Sequence, residues 1–113
     1  MKIVEHEIEF EVVRVVCNSG GAVVDGRCCR GTIVPGLVFT VLSEVDLREP
    51  PGGFAGPSSL VPVGVVSLTV ESIWIQHGRS FGTLSVGWNG RLELLGTGCE
   101  QIKPMMTLSI PKS

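Results

Sequence analysis

Few side chains in this sequence have the types and spacing for chemistry. Four cysteines occur, Cys17, Cys28, Cys29 and Cys99, and none stands in a Cys-x-x-Cys pair. Cys28 and Cys29 are adjacent; on a strand such neighbours point to opposite faces, so they cannot readily share one tetrahedral metal. The two histidines, His6 and His77, have no partner at ligand spacing. The thiols therefore read as buried and reduced, with no metal and no cofactor expected. A Ser-His-Asp set can be drawn from Ser58 or Ser59, His77 and Asp25 or Asp46, but no nucleophile-elbow pattern frames either serine. Glu5, Glu7, Glu9 and Glu11 alternate, the pattern of a solvated strand face rather than of an acid–base pair. A non-enzyme is expected. The remaining cluster is basic and aromatic. Arg27 and Arg30 lie around one turn; Trp74, His77, Arg79, Trp88 and Arg91 lie around later ones. Tryptophan and arginine are common at binding hot spots, and both can stack on bases. The plainer alternative puts Trp74 in the core, Trp88 as a cap on one end of the fold and the arginines in water.

The elements that must position these residues are strands. Valine supplies 17 residues and alanine only two, with 15 glycines and seven prolines between them. Valine is stiff at χ1 and suits a pleated surface, whereas alanine, the best helix former, is nearly missing. The first expected strand runs from Glu5 to Cys17. Ile8, Phe10 and Val12 alternate with glutamates, then the apolar phase slips to Val13, Val15 and Cys17, which predicts a bulge near Val12–Val13. Further strands are expected at Ala22–Arg30, Leu37–Leu42, Val63–Ile75 and Arg91–Gly96, with Ile102–Ile110 closing. In the fourth, Val66, Leu68, Val70 and Trp74 share one face. Phe81–Trp88 is ambiguous, and Asn89-Gly90 reads as a turn. Ser43–Leu60 holds Pro50, Pro51, Gly52, Gly53, Gly56 and Pro57 and reads as a long exposed loop. Phe54 at its centre either pins the loop onto the fold or stands out as an anchor for a partner. The candidate binding residues are thus Arg27, Arg30, Phe54, His77, Arg79, Trp88 and Arg91.

The 113 residues suit one domain, taken here as 1–113. Short strands with a turn every eight to twelve residues indicate a small barrel or sandwich, and closure into a barrel removes valine-rich edges. Net charge is −2 and the sequence pI about 5.6. Such a surface is a poor trap for phosphate backbones, so a protein partner is favoured over RNA. The glutamate-rich start has no signal-peptide pattern, and no apolar run nears the ~20 residues of a membrane helix. A cytoplasmic address and no membrane partner are expected.

The run Gly21-Ala22-Val23-Val24-Asp25-Gly26-Arg27, continuing through Gly31-Thr32-Ile33 to Pro35-Gly36, resembles the second domain of elongation factor Tu-like translational GTPases. Val65–Ile73, Gly90–Gly96 and Ile102–Leu108 are similar to later strands of the same family. The resemblance implies a closed six-stranded, Greek-key-type β-barrel. In the family this barrel helps to bind the aminoacyl end of tRNA and packs on a GTPase domain. This sequence shows no GTPase domain. Gly26–Thr32 resembles a P-loop but has no phosphate-binding lysine and no helix behind it, so no GTP binding is expected. Positions where tRNA-carrying members place acidic and aromatic residues read Val12, Val13 and Val15; Asp25 stands for a threonine and Leu92 for an asparagine. The resemblance implies the fold, and fold alone does not fix function. The leading expectation is a protein-interaction module of adaptor or immunity type. The alternatives are an RNA-end or tRNA-related binder, and a small-molecule-binding barrel or enzyme of unknown type.

Overall fold

Alternation of valine, isoleucine and leucine with polar residues folds this chain as antiparallel sheet. The computed structural model describes residues 6–45, 60–75, 79–80 and 82–111. Among the described residues seven strands follow in order: β1 His6–Asn18, β2 Gly21–Arg30, β3 Val38–Val45, β4 Leu60–Ile75, the two-residue β5 Arg79–Ser80, β6 Asn89–Thr97 and β7 Thr107–Pro111. A short 3-10 turn, Cys99–Gln101, lies between β6 and β7. The hydrogen-bonded order is β3-β7-β1-β2-β6-β4-β5, and β3 also pairs with β4. Six strands therefore form a closed antiparallel ring, and β5 is a spur on β4.

The ring encloses one apolar core. Phe10, Val24, Phe39, Leu42, Leu68, Ile73, Leu92, Leu94 and Leu108 are fully buried in it. Two connections cross at one end, where Ile33 and Leu84 exchange backbone hydrogen bonds of 3.0 and 2.8 Å. Both side chains are fully buried and plug that end. Ile102 and Met106 are buried at the opposite end. Gly26, in mid-β2, is where β1 and β2 touch: a Cβ there would meet the Glu11 carbonyl oxygen.

Two bulges set which side chains face out. In β1 the register shifts between Val12 and Arg14, where the sequence slips phase. Val13 is the extra residue and is 63% exposed rather than turned inward. Val15 does return to the core side, whereas Cys17 at the strand end is exposed. In β4 a second shift falls between Val70 and Ser72. It moves the inward set from Val66, Leu68 and Val70 to Ile73 and Ile75. Trp74 is thereby corrected from the inner face to the outer one, where it is half-buried.

Three further expectations are corrected. Asn89-Gly90 is not a turn but the start of β6, because Gly90 pairs with Gly26 and Ile75. The turn lies one step earlier, with the Trp88 N–H donating to the Ser85 carbonyl at 3.1 Å and Gly87 at φ 86°. Ile102–Ile110 is not one strand, because Lys103-Pro104-Met105-Met106 makes a turn before β7. The Ser43–Leu60 loop is shorter at its N-terminal side than the sequence suggests, since β3 continues to Val45. Its centre, with Phe54, lies outside the described residues. The acidic face of β1 stands as expected at Glu7, which is exposed, and at Glu9 and Glu11, which are half-buried.

Candidate functional site

Cross-strand register builds the site. On the outer face, Arg14 of β1 stands opposite Asp25 of β2, Asp25 opposite Arg91 of β6, and Arg91 opposite Trp74 of β4. The next row holds Val16, Val23, Glu93 and Ser72. Neighbours across an antiparallel pair lie close enough for their side chains to interact. Here they do so twice. The Arg91 guanidinium donates to both oxygens of Asp25, at 2.7 Å from Nε and 3.2 Å from Nη2. The Trp74 indole N–H donates to Glu93 Oε1 at 2.8 Å, one row along the diagonal.

Asp25, Arg91, Trp74 and Glu93 line an open groove of about 800 Å³. Its other walls are Val13, Gly26, Ile75, Asn89 and Gly90. The β1 bulge supplies Val13, and the β4 bulge supplies the outward Trp74. Gly26 and Gly90 face each other across β2 and β6 and line the groove with backbone, since a Cβ on either would turn toward buried Phe10 or Leu84. Asp25, and more weakly Glu93, push the Arg91 pKa above its ordinary value, so the cation is fixed. Chemically the groove offers an indole edge, two carboxylates and one guanidinium already engaged by one of them. Among the described residues no group of three or more His, Cys, Asp or Glu side chains could hold a metal.

Of the residues expected from sequence, Arg91 sits in the groove. Arg27 is exposed on the same face, paired with Glu11 and Asn89, and so borders it. Trp88 is 50% exposed and precedes the groove residue Asn89 without lining the groove, and its carbonyl accepts the Cys28 N–H at 3.0 Å. Arg30 is exposed at the end of β2, opposite Glu9, away from the groove. The backbone of Arg79 pairs with Ile75 at the end of β4. Phe54 and His77 lie outside the described residues. Asp25 and Glu93 are additions to the sequence-derived set. For Glu93 the parity was readable, because Leu92 and Leu94 point inward and Arg91 and Glu93 must point out together, but its pairing with Trp74, like that of Asp25 with Arg91, comes only from register. Cys28 is buried and Cys29 half-buried on the opposite face, as adjacency requires, but the exposure of Cys17 corrects the expectation that the thiols are all buried.

No family model and no curated protein matches the chain. Among solved structures it is similar to translation elongation factor SelB from Methanococcus maripaludis in its apo form, with a TM-score of 0.64 at 18% identity. That match covers 96% of this chain and 20% of the elongation factor, so the chain spans about a fifth of that protein's length. The chain has the fold of a translation-factor β-barrel. The run Gly21–Gly36 that carries the sequence resemblance holds β2, the Pro35-Gly36 turn and the Ile33 plug. Gly31, at φ 74°, ends β2 where a Cβ would meet the Glu7 carbonyl. Gly26–Thr32 is thus strand end and turn, with no helix following it. Among the described residues no helix is long and apolar enough to cross a membrane.

Proposed function

We propose that this barrel is a non-catalytic protein-interaction module, of adaptor or immunity type, that engages its partner along the groove between β1, β2, β6 and β4. The bidentate Asp25–Arg91 pair carries this reading. A phosphate ligand would have to take Arg91 from a carboxylate that already meets its donors, with Glu93 close by adding like charge. A protein segment instead meets an apolar ledge at Val13 and Ile75, an indole, and carboxylate oxygens with acceptor capacity to spare. Exposed Arg27, paired with Asn89 at the border, adds a residue type that favours interfaces, and Trp88, next in sequence to Asn89, is exposed as well.

An RNA end is the second reading, favoured by one observation: Trp74 and Arg91 share a row, and an indole beside a guanidinium can stack a base. The test is affinity capture with the full chain, with and without nuclease, for the natural sequence and for Arg91→Ala and Trp74→Ala. The protein reading expects a bound protein that survives nuclease, depends weakly on salt and is lost from both variants. A nuclease-sensitive partner whose affinity falls steeply with salt would establish the RNA reading instead.

A further inference from the structure

Two thiols meet at the end of the ring remote from the Ile33–Leu84 plug. Cys17 is the second-to-last residue of β1 and is exposed. Cys99 opens the 3-10 turn after β6 and packs partly against the core. The Cys17 thiol donates to the Cys99 carbonyl at 3.0 Å, and the Cys99 side chain is among the groups that raise the Cys17 pKa. Backbone bonds hold both partners in place. Cys17 is paired with Ala22 across the hairpin, and the Gly96 N–H donates to the Gly20 carbonyl at 2.9 Å, tying the hairpin tip to the end of β6. The other two cysteines are remote. Cys28 faces Phe10, seven residues back along β1, which is roughly 20 Å at the rise of a strand.

We propose that Cys17 and Cys99 form an oxidation site, closing to an intrachain disulfide in the folded barrel when a disulfide oxidant of the glutathione class is present. The exposed Cys17 thiolate attacks one sulfur of oxidised glutathione and releases one glutathione thiolate. The Cys99 thiolate then attacks the Cys17 sulfur and displaces the second glutathione. The protein thiols lose two protons and two electrons, and the oxidant takes up both as two glutathione thiols. Desolvation of the sulfur, the Cys99 thiol and the Glu100 carboxylate push the Cys17 pKa up to about 11. Ala22, opposite on β2, brings no charge. At neutral pH Cys17 therefore rests as a thiol, and its attack runs through a small thiolate fraction. The bond would join the β1–β2 hairpin tip to the β6–β7 connection across 82 positions of sequence.

The test incubates the natively folded chain with oxidised glutathione at pH 9, alkylates it, digests it and reads the cysteines by mass spectrometry. The expected product is monomeric, lighter by two hydrogens, and contains a Cys17–Cys99 peptide with Cys28 and Cys29 still alkylated. Its melting midpoint rises by about 10 °C, as a bridge across so long a loop implies. Neither change appears in Cys17→Ser or Cys99→Ser. A lasting glutathione adduct on Cys17, a bridge to Cys28 or Cys29, a Cys17-linked dimer, or four unreacted thiols would each overturn the proposal.

Discussion

At the scale of single residues, geometry separates positions that hold the fold from positions free to serve a partner. Gly26→Ala places a methyl on the Glu11 carbonyl oxygen and on the Phe10 ring. The expected cost is on the order of 4 kcal/mol, or failure to fold, read as a drop in the urea midpoint. Arg91 behaves oppositely. Its pair with Asp25 is exposed and largely screened by water. Arg91→Ala should leave the melting midpoint nearly unmoved while abolishing partner capture; a large loss of stability would make the pair structural. Met105 is the one non-glycine described residue at positive φ, 78°, and it is mostly solvent-exposed. Met105→Gly should relieve left-handed strain and raise stability by up to about 1 kcal/mol, net of glycine's greater unfolded-state entropy. Denaturation midpoints of the two chains check this. Cys17 has a pKa of about 11 in the fold against an ordinary 9.0. Its alkylation by iodoacetamide should therefore keep accelerating above pH 9, where a free thiol has begun to level off. The sign for stability follows: the unfolded thiol ionises first, so this contribution is intact below pH 9 and is lost as pH rises through 11.

At the scale of elements, the two bulges decide what the sheet shows to solvent. The β1 bulge was legible, because Ile8-Phe10-Val12 and Val15 sit on opposite parities and cannot share a regular strand's face. The β4 bulge was equally written in Ile73 and Ile75, but Trp74 kept the parity of Val66, Leu68 and Val70, and its apolar ring suggested an unbroken face. The indole is amphipathic, and Glu93 satisfies its N–H on the outer surface. Both tryptophans should accordingly be quenched by acrylamide in the folded chain. Trp74→Phe should cost well under the roughly 3–5 kcal/mol seen when a core tryptophan is truncated. The turns were less legible. Asn-Gly is a strong local signal, yet the close packing of Gly90 against Leu84 and the Trp74 carbonyl needs a residue without a side chain inside a strand. Tertiary packing thus claimed the glycine that local propensity assigned to a corner. The groove itself was half legible: Arg91 announces itself by type, whereas Asp25 and Glu93 matter only once register sets them beside it.

At the scale of the whole molecule, the closed ring matches the architecture expected from valine-rich strands, and the likeness to SelB extends over 96% of the chain. Leu92 lies on the central inner row and is fully buried. Leu92→Ala should cost about 2–5 kcal/mol, checked by chemical denaturation with an unchanged slope. The circular dichroism of the chain should show sheet with very little helix. Closure also has a consequence in time. His6 faces Pro111, and Val41 and Leu42 face Ser109 and Leu108. The strand that completes the ring is thus the last of these seven to be made, and it is flanked by two of the earliest. Until it emerges, β1 and β3 present open, valine- and phenylalanine-bearing edges with nothing to pair them. Contacts so distant along the chain are slow to form, on the order of milliseconds to seconds. The interval before β7 arrives is therefore the period in which this protein is most exposed to aggregation, and a binder that shields those edges during synthesis would raise its yield without touching the finished barrel.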